Sequence, residues 1–150
     1  MGARVMELYT IGFTRKSAAQ FFGLLRDSGA KRVVDIRRRN TSGLAGWAKK
    51  DDLGWLLREL CGMDYIHLPK LAPSDELLDA YRKKQITWDQ YVPIFTRQIE
   101  RRLIHASIPR DIIADSCLLC SEPTADRCHR RLVAEHLQRH WGHVKIVHLV

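Results

Sequence analysis

The sequence predicts a Rossmann-like α/β domain of three layers: a mainly parallel sheet of about five strands with helices on both faces. Three observations predict it. Short apolar runs alternate with stretches of helical period along the chain, the pattern left by successive strand–helix units. Runs such as Ser116–Cys120, apolar from Cys117 on, read as strands buried in the interior of such a fold. The 150 residues contain no repeat, low-complexity tract or Pro/Gly/Ser linker, so residues 1–150 read as a single domain of ordinary size.

The elements follow in order. Val5 to Ile11 reads as the first strand. Gly12 follows it, and Ser17 with Gln20 forms a capping box for a helix through Leu24 and Leu25 that ends at Gly29. Arg32 to Arg37 is the second strand, and a polar loop of Arg38, Arg39, Asn40, Thr41, Ser42 and Gly43 comes after it. Asp51 or Asp52 is a suitable cap for the next helix, which places Leu53, Leu56, Leu57 and Leu60 on one face and stops at Gly62. Tyr65 to Leu68 is a short third strand. Pro69 and Pro73 bound a loop, Ser74 caps a short helix with Leu77, Leu78 and Tyr81, and Thr87 with Gln90 starts a longer one through Ile99 and Leu103. Pro93 lies in or near the start of that helix, where a proline costs on the order of 3 kcal/mol, so a kink or a later start is expected. Ile108 to Asp115 fits neither period. Ser116 to Cys120 is a strand, Asp126 caps a helix carrying Leu132, Val133 and Leu137, Gly142 ends it, and Val144 to Leu149 is the last strand.

Composition narrows the function. With 25 Lys+Arg against 17 Asp+Glu the net charge is +8, which attracts polyanions over about a Debye length. An anionic small molecule or nucleic acid is the expected partner. No apolar run approaches the roughly 20 residues of a membrane span, so no membrane role is expected. Arg4 and Glu7 interrupt the apolar start, against a secretory leader. Four cysteines without a loop-rich, disulfide-type composition suit a cytoplasmic protein. Oligomeric state and cofactor are not written in these features.

Ligands of open parallel sheets collect at the carboxyl ends of the strands, where helix N-termini present unpaired N–H groups. The loops at that edge hold the reactive residues: Gly12, Phe13, Thr14, Arg15 and Lys16 after the first strand, Arg37 to Arg39 after the second, and Cys120, Ser121, Glu122 and Cys128-His129-Arg130 after the fourth. Cys120, Glu122, Cys128 and His129 are the candidate catalytic groups, and Gly12, Thr14, Arg37, Arg39 and Arg130 the candidate substrate-binding ones. Cys128, expected in the first turn of a helix, is the better nucleophile, because the dipole there can bring a thiol below a pKa of about 7.5. Glu122 and His129 suit acid/base work. Asp35 stands where an apolar residue is expected, and Arg37, two residues on, shares its face and is its natural partner. Trp47, Trp55, Tyr65 and Trp88 offer rings for stacking on a base. The spacing of Cys117, Cys120, Cys128 and His129 invites zinc, but strand residues three apart face opposite ways, so no metal is assigned. No Walker loop, G-x-G-x-x-G, G-x-S-x-G or H-E-x-x-H sequence occurs.

Several stretches together resemble one family: Thr10-Ile11-Gly12 with Phe13-Thr14, Val33 to Arg37, Tyr65 to Pro69, Leu118 to Glu122, Cys128 to Arg131, and Val147-His148-Leu149. The chain resembles the family described as domain of unknown function 488. The resemblance implies a compact Rossmann-like domain and maps Arg37, Cys120, Glu122, Cys128, His129 and Arg130 onto the family's signature positions, with Cys117 outside them. Many relatives carry His where Phe13 stands, so no role for that histidine transfers. The expected activity is that of an enzyme on a phosphate-bearing substrate, nucleotide or nucleic acid. The alternatives are a non-catalytic nucleic-acid or partner-binding module, and a redox-sensing dithiol of Cys120 and Cys128.

Overall fold

The computed structural model describes residues 5–39, 46–121 and 126–150. Five parallel strands form one sheet: β1 (Met6–Gly12), β2 (Arg32–Asp35), β3 (Asp64–His67), β4 (Ser116–Cys120) and β5 (Val144–His148), in the order β3-β2-β4-β1-β5. The helices are α1 (Ala18–Ser28), α2 (Lys50–Cys61), α3 (Asp75–Arg82), α4 (Trp88–Arg101), α5 (Ile104–Ser107), α6 (Arg110–Ile113) and α7 (His129–Trp141). Among the described residues no helix is long and apolar enough to cross a membrane.

Strand alternation divides the core into two layers. Tyr9, Ile11, Val33, Cys117 and Leu119 point to one face, where Phe21, Phe22 and Leu25 of α1 and Leu53 and Leu57 of α2 cover them. Leu8, Val34 and Leu118 point to the other, under Leu77 of α3, Phe95 and Ile99 of α4, and Val133 and Leu137 of α7. This is the expected three-layer arrangement.

Local chemistry explains where the helices begin and end. Ser17 and Gln20 cap α1 reciprocally, with Gln20 N–H donating to Ser17 Oγ at 3.1 Å and Ser17 N–H to Gln20 Oε1 at 2.8 Å. Thr87 and Gln90 do the same for α4. Gly29 and Gly62 end α1 and α2 with φ of 74° and 63°, a region that costs residues with a Cβ.

Several boundaries differ from expectation. Lys49, not Asp51 or Asp52, is the N-cap of α2, and its side chain makes no capping hydrogen bond. The two aspartates lie inside the first turn, where their charge faces the positive end of the helix dipole. Helix α4 starts at Trp88 and continues through Pro93, so the later start is not adopted. The capping box and the burial of Tyr91, Phe95 and Ile99 offset the hydrogen bond that proline cannot donate. Cys128, not Asp126, is the N-cap of α7. The ambiguous stretch after Ile108 is the short helix α6 leading into β4. β2 leaves the ladder at Asp35, two residues before the expected end. The loop residues Asn40 to Gly43 lie outside the described residues.

The strand order places a crevice. The chain leaves β2 through α2 on one face toward β3, and leaves β4 through α7 on the other face toward β5. Adjacent strands whose connections depart to opposite sides leave a gap at their carboxyl ends.

Candidate functional site at the β2–β4 junction

A cavity of about 240 Å³ opens at this junction, lined by Arg37, Arg38 and Arg39 after β2, Cys120 and Ser121 at the end of β4, Arg127, Cys128 and His129 at the start of α7, and Pro73, Leu78, Tyr81, Arg82, Trp88 and Tyr91 from the β3–β4 connection.

Arg37 lines it on the β2 side and is held there by Asp35 behind it. Asp35 is fully buried and Arg37 is 2% exposed. Arg37 donates through Nε to Asp35 Oδ1 and through Nη2 to Oδ2, both at 2.8 Å, and its backbone N–H reaches Oδ1 at 3.1 Å. The Tyr65 hydroxyl donates to Oδ2 at 2.5 Å. Burial alone would raise the Asp35 carboxyl, but the hydrogen bond and charge of Arg37, with Tyr65 and the Arg37 N–H, outweigh it and hold the carboxyl below its usual range. The pairing expected from alternate strand positions is therefore present. The Arg37 guanidinium also lies 5.4 Å from the centre of the Phe13 ring, which gives the residue standing in the place of a histidine a packing role. Arg37 Nη1 is buried with no hydrogen-bond partner among the described residues, on a residue of the cavity wall.

The sulfur and imidazole groups sit opposite. Cys120, 4% exposed, ends β4 beside Gly12 of β1. His129 Nδ1 is 3.2 Å from Cys120 Sγ, and His129 Nε2 is 2.8 Å from the carbonyl oxygen of Ile36. A carbonyl only accepts, so Nε2 carries the proton and Nδ1 presents its lone pair to the thiol. This is the relation of nucleophile, base and orienting group found in thiol enzymes. Cys128 donates its S–H to Cys120 Sγ at 2.6 Å.

Burial, then the hydrogen bond to Cys120 and its charge, push the Cys128 thiol well above its ordinary value, against the opposing influence of His129. The lowering expected of a helix N-terminus does not prevail at Cys128. Cys120 lies 3.2 Å from His129 Nδ1.

The arginines beyond Arg37 are held loosely. Arg38 Nε is 3.3 Å from Asp75, and Arg39 Nη2 is 3.3 Å from Asp75 and 3.4 Å from Asp79. These half-exposed pairs are worth about 0–1 kcal/mol each, so an incoming anion can replace the aspartates. Aromatic rings complete the wall. Trp88 stacks on Tyr91 at 5.0 Å and 15°, Tyr81 lies 5.2 Å from Tyr91, and Phe95 meets His129 edge-on at 5.7 Å. Burial, together with the charges of Cys120, Cys128 and Tyr81, raises the Tyr91 hydroxyl and keeps it a neutral phenol.

The predicted site residues are thus only partly gathered. Cys120, Cys128, His129, Arg37 and Arg39 line one cavity. Gly12 ends β1 beside Cys120 without lining it, and Thr14, whose N–H donates to Ser121 O at 3.0 Å, lines a separate groove with Arg15, Lys16 and Gln20. Arg130 is fully buried, with Nε 3.4 Å from Thr10 Oγ1, and does not line the cavity. Glu122 lies outside the described residues. Of the four rings offered for base stacking, Trp88 alone reaches the cavity. Trp47 packs on Phe21 at 4.9 Å, Tyr65 serves Asp35, and Trp55 is exposed on α2. Tyr81, Arg82, Tyr91 and Arg127 were not singled out in the sequence. Their only signal was position, on helices α3 and α4 and just before α7.

Cys120, Cys128 and His129 offer ligand atoms within 4.8 Å of one another, a soft S₂N set. Two thiolates on one zinc, at Zn–S of about 2.3 Å, stand roughly 3.7 Å apart in tetrahedral geometry. The two sulfurs are closer than that, 2.6 Å apart. Cys117 points to the opposite face of the sheet, among the α1 and α2 side chains.

A family profile described as Domain of unknown function DUF488 matches residues 17–137. The chain belongs to the DUF488 family. No curated protein and no solved structure matches it. In this DUF488 domain the matched stretch runs from the N-cap of α1 into α7 and includes every residue of the cavity wall.

Proposed function

We propose that this DUF488 domain is an enzyme acting on a phosphate-bearing substrate, a nucleotide or one nucleotide of a nucleic acid, with Cys120 as nucleophile and His129 as its base. The observation that carries the reading is one cavity holding an oriented thiol–imidazole pair, arginines from two loops and stacked aromatic rings. Arginine suits phosphate by bidentate hydrogen bonding, and a ring such as Trp88 suits a base. The volume, below the usual several hundred Å³ of drug-sized sites, fits a mononucleotide unit rather than a duplex. A net charge of +8 favours arrival of anions.

The test is binding and turnover of a panel of nucleoside phosphates and short single-stranded RNA and DNA. Arg38→Ala and Arg127→Ala weaken binding at low salt, and Cys120→Ser abolishes turnover while binding persists. Equal binding of nucleosides and their phosphates by the unaltered protein would overturn the reading. A non-catalytic binding module predicts instead that Cys120→Ser changes nothing.

The cysteine-based redox reading rests on a separate observation, the 2.6 Å approach of the two sulfurs. It assigns the same pair to reversible disulfide formation, with the arginines selecting an anionic partner.

A further inference from the structure

Three histidines meet away from the cavity. His136 and His140 lie one turn apart on α7 and share a face, and His105 of α5 packs against them. His136 is fully buried, His105 is partly buried and His140 is exposed. His105 Nδ1 and His136 Nε2 are 3.2 Å apart. The His105 and His140 rings stack at 3.8 Å and 7°, and the His136 and His140 centroids are 4.4 Å apart. Trp141 Nε1–H donates to the His105 carbonyl at 2.8 Å, which ties α5 to the last turn of α7.

A packing role accounts poorly for this cluster. Among the described residues no carboxylate forms an ion pair with any of the three. Three imidazoles facing one another without an anion are stabilised by a cation between them.

The distances suit such an ion. Two nitrogens bound tetrahedrally at about 2.0–2.1 Å stand roughly 3.3–3.4 Å apart, close to the 3.2 Å between His105 and His136. One nitrogen from each ring already lies within 4.8 Å of the others; the exposed His140 ring, now stacked parallel on His105, turns out of that stack to aim its nitrogen at the ion. Imidazole donors select zinc, nickel and copper over magnesium or calcium.

We infer that His105, His136 and His140 form a three-nitrogen site for a divalent transition-metal ion, open to solvent beside His140 and clamping α5 to α7. It is distinct in residues and position from the β2–β4 cavity.

The experiment is calorimetric titration of Zn²⁺ into the full chain carrying Cys120→Ser and Cys128→Ser, which removes the competing thiolates. One zinc per chain binds. His140→Ala, a surface change, and His105→Ala each weaken it at least about tenfold, the scale of disturbing a zinc site, while His143→Ala leaves it unaltered. Co²⁺ in place of zinc gives visible d–d bands without thiolate charge-transfer absorption. Absence of binding in the Cys120→Ser, Cys128→Ser background, or equal losses in the His140 and His143 variants, would overturn the inference.

Discussion

Replacing Asp35 with asparagine removes the carboxylate that, among the described residues, neutralises the buried Arg37. Asp35 accepts from Arg37 Nε, Nη2 and backbone N–H and from the Tyr65 hydroxyl, and both partners are almost completely shielded from water. The four bonds are not additive, so the cost is bounded by what an uncompensated buried charge costs, about 3–5 kcal/mol. At about 1.4 kcal/mol per decade this is a 10²- to 10³-fold or larger loss in the folded-to-unfolded ratio. It consumes much of a typical stability of about 5–15 kcal/mol. With a urea m-value near 2 kcal/mol/M, the midpoint falls by about 1.5–2.5 M. The double variant Asp35→Leu/Arg37→Met removes both charges together and recovers most of the loss, because apolar replacement of a whole buried pair is often neutral. The pH dependence has a definite sign. The folded carboxyl lies below the unfolded value of about 3.9, so its contribution is complete above about pH 4 and is lost as pH falls through the folded value. The deficit of Asp35→Asn relative to the unaltered chain therefore shrinks in acid. A loss under about 1 kcal/mol at pH 7, or a deficit that stays constant into strong acid, would refute the reasoning.

Three further outcomes follow from the same geometry. Iodoacetamide modifies Cys120 before Cys128, because Cys128 retains its proton, and His129→Gln slows modification of Cys120 at least about tenfold; peptide mass spectrometry reads both. Mild peroxide joins Cys120 to Cys128, the two thiols and one peroxide giving a disulfide and two waters, with a loss of about 2 Da in intact mass. Cys120→Ser and Cys128→Ser each abolish that loss. Thr87→Ala removes the cap that starts α4 ahead of Pro93 and lowers stability by about 1 kcal/mol, visible in thermal unfolding; no change would mean that packing alone sets the start.

What could be read from the sequence is what short-range chemistry encodes. Ser17 with Gln20, Thr87 with Gln90, and the glycines at 29 and 62 mark helix ends through contacts a few residues apart. Asp126 misled because a capping residue says nothing about where the chain must be when it reaches the sheet. Helix α7 begins where His129 can reach the carbonyl of Ile36, two residues later than Asp126 could cap. Asp35 and Arg37 were legible because they lie two residues apart along the chain. Tyr81, Arg82 and Tyr91 were not, since they reach the cavity from helices whose docking on the sheet has no local signature. Arg130 shows the converse limit. Next in sequence to His129, it turns into the protein toward Thr10 rather than to the cavity, because consecutive helical residues face directions about a quarter-turn apart.

The strand order β3-β2-β4-β1-β5 is the feature least visible in the sequence, and it determines the chemistry of His129. An imidazole beside a thiol is a base only if its near nitrogen is the unprotonated one. That choice is made by the other nitrogen's partner, the carbonyl of Ile36, 93 residues away along the chain. Ile36 occupies that place because its own N–H is bonded to Leu119 O at 3.1 Å, which requires β2 to lie directly against β4. With β1 between them, the same Cys120 and His129 would be present but the carbonyl would be a strand's width away, about 4.8 Å farther off. The tautomer would then be undetermined. A Cys/His pair near one end of a parallel sheet is therefore not by itself arranged as a nucleophile and its base; in this domain the topology supplies the orientation that the proposed roles require.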